Sequence, residues 1–136
     1  MQRLTKQFAT MLLTALSAFT LACGYSSKAT TPATSGTMPT IATLAPGSAT
    51  HGDAAFVLTV TGTNFSTTAV INFGGVAQTT NQVSTTQLTA TISAADIANA
   101  GTVAITVTNP AVAGTGAYGS GGTLAETSGP MNFTIN

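Results

Sequence analysis

The sequence has very few charged residues. Its 136 residues include three Lys or Arg and three Asp or Glu, which together make up 4% of the chain, whereas about a quarter of an average soluble protein is charged. Without a basic patch the chain has no means of neutralising nucleic-acid phosphates or anionic lipid head groups, so we expect no nucleic-acid partner. The surface must be covered by Thr, Ser, Asn, Gln, Ala and Gly. Strand edges of this composition carry little charge to prevent pairing with another chain, which favours self-association.

Groups that carry catalysis or bind metals are equally scarce, with one cysteine and one histidine. A single cysteine forms neither an internal disulfide nor a zinc site built from cysteines. The run His51-Gly52-Asp53 is typical of a turn, and no nucleophile-elbow motif supplies a serine for a catalytic triad. Asp53 and Asp96 are expected at the same end of the fold, but no neighbour in the sequence buries or orients them as sugar hydrolysis requires. We therefore expect no catalytic residue, no metal site and no cofactor.

The first 22 residues have the organisation of an export signal. Arg3 and Lys6 provide the positively charged start, and residues 8–21 are apolar or hydroxylic without any charge. This stretch is short for a membrane span, which needs about 20 residues without polar interruptions. The segment therefore predicts a cleaved signal peptide over residues 1–22.

The signal ends in the run Phe19-Thr20-Leu21-Ala22-Cys23-Gly24, which resembles the lipobox of bacterial lipoproteins. The resemblance implies cleavage before Cys23 and a diacylglycerol joined to its thiol. It departs from the family pattern at Thr20, where Leu is the commoner residue. Cleavage near Ala22 without lipid attachment, which gives a secreted protein, is the alternative, and a lone cysteine is otherwise a buried small hydrophobe or a free thiol.

The lipobox resemblance also implies a cellular location. A mature lipoprotein of this kind carries three acyl chains, which gives stable attachment where a single chain binds membranes only marginally. Gly24 follows the cysteine, and Gly instead of Asp at this position resembles the pattern for outer-membrane sorting in diderm bacteria. We therefore expect a cell-envelope protein that is anchored in the outer membrane, on either of its faces.

Composition divides the rest of the chain into a linker and a domain. Residues 23–38 have no hydrophobic period and are built from Ser, Thr, Ala, Gly and Pro, which is typical of a flexible tether. A coil of this length has an end-to-end distance on the order of 20 Å. Residues 39–136 then have the length of one small domain.

This domain is predicted to consist of β-strands. Apolar residues alternate with Thr, Ala or Asn in short β-branched runs that end at Gly, Pro, Asn or Ser, the pattern of half-buried strands in an antiparallel sandwich. The runs are Ile41 with Leu44, then Phe56–Thr61, Val70–Phe73, Leu88–Ile92, Val103–Thr108 and Met131–Ile135. One candidate helix of a single turn covers residues 94–100, with Ser93 as its N-cap and Gly101 at its end.

Five segments in order resemble IPT/TIG domains, a family with an immunoglobulin-like fold. They are Pro39–Pro46, Leu58–Phe65 with its Thr61-Gly62-Thr63-Asn64-Phe65 ending, Val70–Gly75, Ser84–Ile92 and Val103–Pro110. The resemblance implies an immunoglobulin-like antiparallel β-sandwich of about seven strands. The chain departs from the family in residues 110–127, which replace a tight turn with a longer, glycine-rich loop.

The residues of the second segment favour a structural role. Gly62 suits a bulge or turn where a Cβ atom would collide with its surroundings. Asn64 tolerates unusual backbone angles, and Phe65 is placed to return to the core.

The loops of this fold predict a candidate binding end. In an immunoglobulin-like sandwich, the loop after the second strand and the loop between the last two strands lie at the same end. Here they place Ser66, Thr67, Thr68, Thr85, Thr86, Tyr118 and Glu126 together. Tyr118 is an aromatic residue in a polar loop and is a candidate for stacking on a sugar.

These patterns predict a lipid-anchored, non-enzymatic envelope protein that presents its domain for adhesion, protein–protein scaffolding or envelope assembly. The alternative is a carbohydrate-binding surface module or an accessory unit of a polysaccharide-processing system. Its expected partners are the membrane, through the lipid on Cys23, and a protein or glycan that the sequence does not identify. The first strand starts at the end of the sandwich that holds these loops, which we call the loop-rich end. The tether should therefore attach there, with His51, Asp53, Asp96 and the C-terminus at the opposite end.

Overall fold

The computed structural model describes residues 31–115 and 121–136, which form ten β-strands. Cys23 and Tyr118 lie outside the described residues. Seven of the strands are four residues or longer. The strands are β1 (Thr40–Ala45), β2 (Ser48–Ala49), β3 (Phe56–Thr63), β4 (Val70–Phe73), β5 (Val76–Ala77), β6 (Thr80–Ser84), β7 (Gln87–Ile92), β8 (Gly101–Asn109), β9 (Glu126–Thr127) and β10 (Met131–Ile135).

The strands form two sheets that pack face to face. One sheet has the order β1-β3-β7-β6, and the other has the order β2-β10-β8-β4-β5, with β9 paired to β8. All pairs are antiparallel except β2 with β10. The chain passes from the first sheet to the second at Pro46-Gly47, where β1 ends and β2 begins, because proline cannot donate a hydrogen bond to the sheet. This architecture confirms the predicted immunoglobulin-like antiparallel β-sandwich.

The core lies between the sheets and is formed by the apolar residues of the alternating runs. Leu58 and Val60 are fully buried, as are many of the other apolar side chains that point inward from the two sheets. Each fully buried side chain stabilises the fold by about 1.5–3 kcal/mol because it leaves water. The ring of Phe133 stacks on Phe56 with centroids 5.8 Å apart and meets Phe73 edge-on at 5.6 Å. These aromatic contacts join strands that are far apart in the sequence.

The predicted helix over residues 94–100 is wrong: this segment forms consecutive turns. Ser93 and Asp96 still make the reciprocal contacts of a cap. The Asp96 carboxylate accepts from the Ser93 amide at 3.1 Å and from its hydroxyl at 2.6 Å, and the Asp96 amide donates to the Ser93 hydroxyl at 3.4 Å. Ile97 is the only fully buried residue of the segment. Seven residues with one apolar anchor do not offset the cost of starting a helix, so the backbone bends to bring Ile97 into the core.

The two ends of the sandwich differ as predicted. At one end, the amide of His51 donates to the carbonyl of Asn136 at 2.8 Å, and the amide of Gly52 donates to the carbonyl of Ile97 at 3.1 Å. The C-terminus therefore lies beside two turns, one at His51 and one that contains Asp96. We call this end of the sandwich the distal end. The eight residues of β3 separate this end from the loop-rich end. No helix within residues 31–115 and 121–136 is long and apolar enough to cross a membrane.

Candidate functional site

The loops of the loop-rich end enclose a cleft of about 540 Å³. Its walls come from the segment before β1, the loop after β3, the turn between β6 and β7, and the segment after β8. All of the lining residues are uncharged. They are Gly36, Thr37, Thr63, Asn64, Phe65, Ser66, Thr85, Thr86, Asn109, Pro110, Val112, Thr123 and Leu124. For the described residues, the predicted meeting of these loops at one end is confirmed.

The wall after β3 is shaped by Gly62, Asn64 and Phe65. A Cβ atom on Gly62 would collide with the carbonyl oxygen of Thr40 and lie 2.7 Å from the Phe65 ring. Asn64 has a φ of 62°, the left-handed conformation that asparagine tolerates better than most residues. Phe65 is consequently turned back into the core, where it is buried. The structural role predicted for these three residues is confirmed.

Asn109 connects three segments around the cleft and is 6% exposed. Its side-chain amide donates to the carbonyls of Thr37 and Asn64, both at 2.8 Å. Its side-chain oxygen accepts from the amide of Ser66 at 3.0 Å. The asparagine therefore satisfies backbone groups that no sheet pairing reaches, and it holds the N-terminal segment against the loop after β3.

The segment before β1 is part of the folded domain. The amide of Thr34 donates to the carbonyl of Gly122 at 3.0 Å, and the amide of Leu124 donates to the carbonyl of Thr34 at 2.9 Å. The close packing requires glycine at position 36, where a Cβ atom would lie 2.6 Å from the carbonyl oxygen of Leu124. The chain on its N-terminal side therefore reaches the domain at the loop-rich end.

This pairing extends the domain upstream of the predicted boundary at residue 39. The last residues of the predicted linker, from Thr34 onward, are hydrogen-bonded to the domain. Backbone pairing depends little on composition, so a Ser/Thr-rich segment joins an edge when the fold places one beside it. Residues 23–30 of that linker lie outside the described residues.

Comparison with known protein families identifies the family of this β-sandwich. The family model described as "IPT/TIG domain" matches residues 39–125. The chain belongs to the IPT/TIG family. Members of this family are non-catalytic immunoglobulin-like modules used in adhesion and scaffolding. Comparison with curated proteins and with solved structures gave no match.

The IPT/TIG domain distributes the predicted binding residues unevenly around the cleft. Ser66 lines it, whereas Thr67 and Thr68 form an exposed turn beside it. Glu126 is half-buried in β9, directly opposite Asn109. Tyr118 lies outside the described residues, so its predicted role stays a prediction, as do the ligand roles of the other four.

The described residues between β8 and β10 are more regular than the long loop expected for residues 110–127. Val112 and Thr123 pair with each other, and Thr123 also pairs with Thr34. Glu126 and Thr127 form β9 on the edge of β8. Asn109, Val112 and Leu124 were not predicted as lining residues, and the apolar character of Val112 and Leu124 gave no sign of a site.

Among the described residues, the buried hydroxyl of Ser66 has no hydrogen-bond partner. An unpaired buried hydroxyl costs about 1–3 kcal/mol. We therefore expect Ser66→Ala to leave the free energy of unfolding unchanged or to raise it by about 1 kcal/mol, as measured by chemical denaturation followed by circular dichroism.

Ser128→Ala is the matched control for this substitution. The buried Ser128 hydroxyl accepts from the Val107 amide at 2.9 Å and donates to the carbonyl of Gly129 at 2.9 Å. Its removal should lower the free energy of unfolding by about 1–3 kcal/mol, because the Val107 amide loses its partner. A loss of equal size at both positions would contradict the assignment of Ser66 as unpaired.

The ionisable side chains of the described residues do not meet in the cleft. Asp53 is exposed, and its carboxylate accepts from the amide of Thr50 at 3.2 Å in the turn at the distal end. Asp96 is engaged by Ser93 at the same end. Within residues 31–115 and 121–136, no group of three or more His, Cys, Asp or Glu is placed to hold a metal ion.

Proposed function

We propose that this protein is a lipid-anchored cell-envelope protein that presents one IPT/TIG domain as a non-enzymatic binding and scaffolding module. The N-terminal signal and the lipobox-like run before Cys23 support the anchor. The pairing of Thr34 at the loop-rich end supports the orientation. A chain tethered there leaves the sheet faces and the distal end free to meet a partner.

The proposed binding role rests on the outer face of the β1-β3-β7-β6 sheet. Thr59 of β3 lies directly opposite Thr89 of β7, and Val57 lies opposite Thr91 in the same register. Val57 and Thr91 are exposed, and a shallow hollow of about 230 Å³ lies between them and β6. Protein interfaces have few charged residues in their centres. A broad uncharged sheet face with hydroxyl and methyl groups fits a protein partner.

A charge placed on this face provides the test. Lipidated protein carrying Thr91→Glu should capture the partner from envelope extracts at least about tenfold less well than the wild type, because a carboxylate would be buried without a counter-charge. Thr102→Glu is the control, since Thr102 is an exposed threonine on β8 of the other sheet. Equal capture by both variants would contradict the proposed face.

The carbohydrate-binding alternative is distinguished by an array of glycans. The scaffolding proposal predicts no specific retention of the wild-type protein on the array. Specific retention that Thr91→Glu leaves intact would favour the glycan-binding alternative.

A further inference from the structure

Exposed apolar side chains are concentrated at the loop-rich end. Over the described residues, six large hydrophobic side chains are more than half exposed. Three of them, Met38 (56%), Val112 (58%) and Leu124 (53%), belong to this end. Val112 and Leu124 line the cleft, and the carbonyl of Met38 accepts from the side-chain amide of Asn64 on its wall. Val112 and Leu124 thus lie together in the cleft, and neighbouring exposed apolar side chains are typical of a contact with a partner or a membrane.

The path of the chain favours a membrane as the contact of these apolar side chains. Thirty-three residues precede Thr34, which is fixed to the loop-rich end by its pairing with Thr123. Ten residues lie between Cys23 and Thr34, so the extended chain that joins them spans about 40 Å at most. A lipid on Cys23 would therefore hold this end within about 40 Å of the bilayer, and the chain joins the domain on the same side as the exposed apolar side chains.

Among the described residues, the loop-rich end has one charged side chain, that of Glu126, which is half-buried in β9 and outside the lining of the cleft. No lining residue of the cleft is charged, and residues 31–115 and 121–136 contain no Lys or Arg. Attraction to anionic head groups is thereby absent from the described part of the chain, and burial of apolar side chains at the interface is the remaining driving force.

We propose that the loop-rich end docks on the surface of the bilayer, with Met38, Val112 and Leu124 inserted at the level of the phospholipid head groups. This inference rests on the lipid anchor proposed above. The docked domain stands upright on the membrane, with the strands of both sheets running away from it. The uncharged face of the β1-β3-β7-β6 sheet then points sideways, where it meets partners in or on the same membrane.

The absence of tryptophan from the chain allows a direct test. A single reporter is introduced as Val112→Trp at the loop-rich end or as Val57→Trp on β3 near the distal end, two valines of nearly equal exposure at 58% and 57%. The lipidated proteins are reconstituted into phosphatidylcholine vesicles with brominated acyl chains, which quench tryptophan only at close range. We expect quenching of the Val112→Trp protein to exceed that of the Val57→Trp protein about threefold or more, with emission shifted to shorter wavelength.

A second substitution separates insertion by the domain from insertion by the reporter itself. Leu124→Asn, added to the Val112→Trp protein, should reduce the quenching because it removes a neighbouring apolar side chain. Equal quenching at positions 112 and 57, or none at either, would overturn the docking proposal.

The anchor is measured independently by mass spectrometry of the N-terminal peptide of the mature protein. An unmodified Cys23 would contradict the proposed function. Docking is then decided by adding the same vesicles to the unlipidated Val112→Trp and Val57→Trp proteins at high lipid concentration. Stronger quenching at position 112 supports docking there, and equal quenching overturns it.

Discussion

Substitution of Gly62 by alanine is expected to lower the free energy of unfolding by about 3 kcal/mol, the upper end of the usual cost of overpacking a filled site. The added Cβ would collide with the carbonyl oxygen of Thr40 on β1 and approach the Phe65 ring to 2.7 Å. The ring has little room to move because Phe65 is buried in the core, so β1 must shift away from β3. Urea denaturation followed by circular dichroism measures the change.

Gly129→Ala is the control for this prediction. Nothing lies within 4 Å of a Cβ atom built on Gly129, and its φ is outside the left-handed region. This variant should differ from the wild type by about 0.5 kcal/mol or less. If Gly62→Ala proved as stable as Gly129→Ala, the close approach of β1 to Gly62 would not exist in solution.

Local chemistry made part of this fold predictable. Gly62, Asn64 and Phe65 each have a property that few residues share: no side chain, tolerance of a positive φ, and a large apolar ring. The long strands were predictable for a similar reason, since alternation over five or more residues has one face to bury. The predicted immunoglobulin-like topology also placed the loops together at one end and His51 and Asp96 at the distal end.

Elements that depend on a partner across the sheet were not predictable. The strand β6 has no run of apolar residues on one face, and it forms because its backbone pairs with β7. Gln82 of this strand also donates to the carbonyls of Phe65 and Ser66 at 3.1 and 2.9 Å. The docking of Thr34 is of the same kind. In both cases the stabilising contacts are hydrogen bonds that involve backbone groups, and composition does not report them.

The composition of the candidate site also limited its prediction. Hydroxyl residues in loops were placed at a candidate binding end, and of these Ser66, Thr85 and Thr86 line the cleft. The remaining walls contain apolar residues such as Val112 and Leu124, which a sequence assigns to a core as readily as to a surface. Asn109 carried one available signal, since an asparagine that ends a strand before a proline offers both a donor and an acceptor.

Substitution of Asn109 by alanine should lower the free energy of unfolding by about 3 kcal/mol, because three backbone groups lose their partner together. These groups are the carbonyls of Thr37 and Asn64 and the amide of Ser66. Asn109→Asp should be nearly as destabilising, since a carboxylate keeps an acceptor for Ser66 but turns negative oxygen toward the two carbonyls. Chemical denaturation measures both variants.

Asn72→Ala is the control, because Asn72 also donates two hydrogen bonds from a strand, to the hydroxyls of Thr106 and Thr108. Those hydroxyls lie on the outer face of the sheet and regain partners from water, so the expected loss is about 1 kcal/mol or less. Hydrogen exchange gives a second readout. In Asn109→Ala, the amides of Thr34 and Leu124 should exchange faster than in the wild type, because Asn109 no longer holds the segment before β1 against the cleft. Unchanged protection of these two amides would show that the pairing of Thr34 alone fixes the segment before β1, and that Asn109 stabilises the loops without positioning this segment.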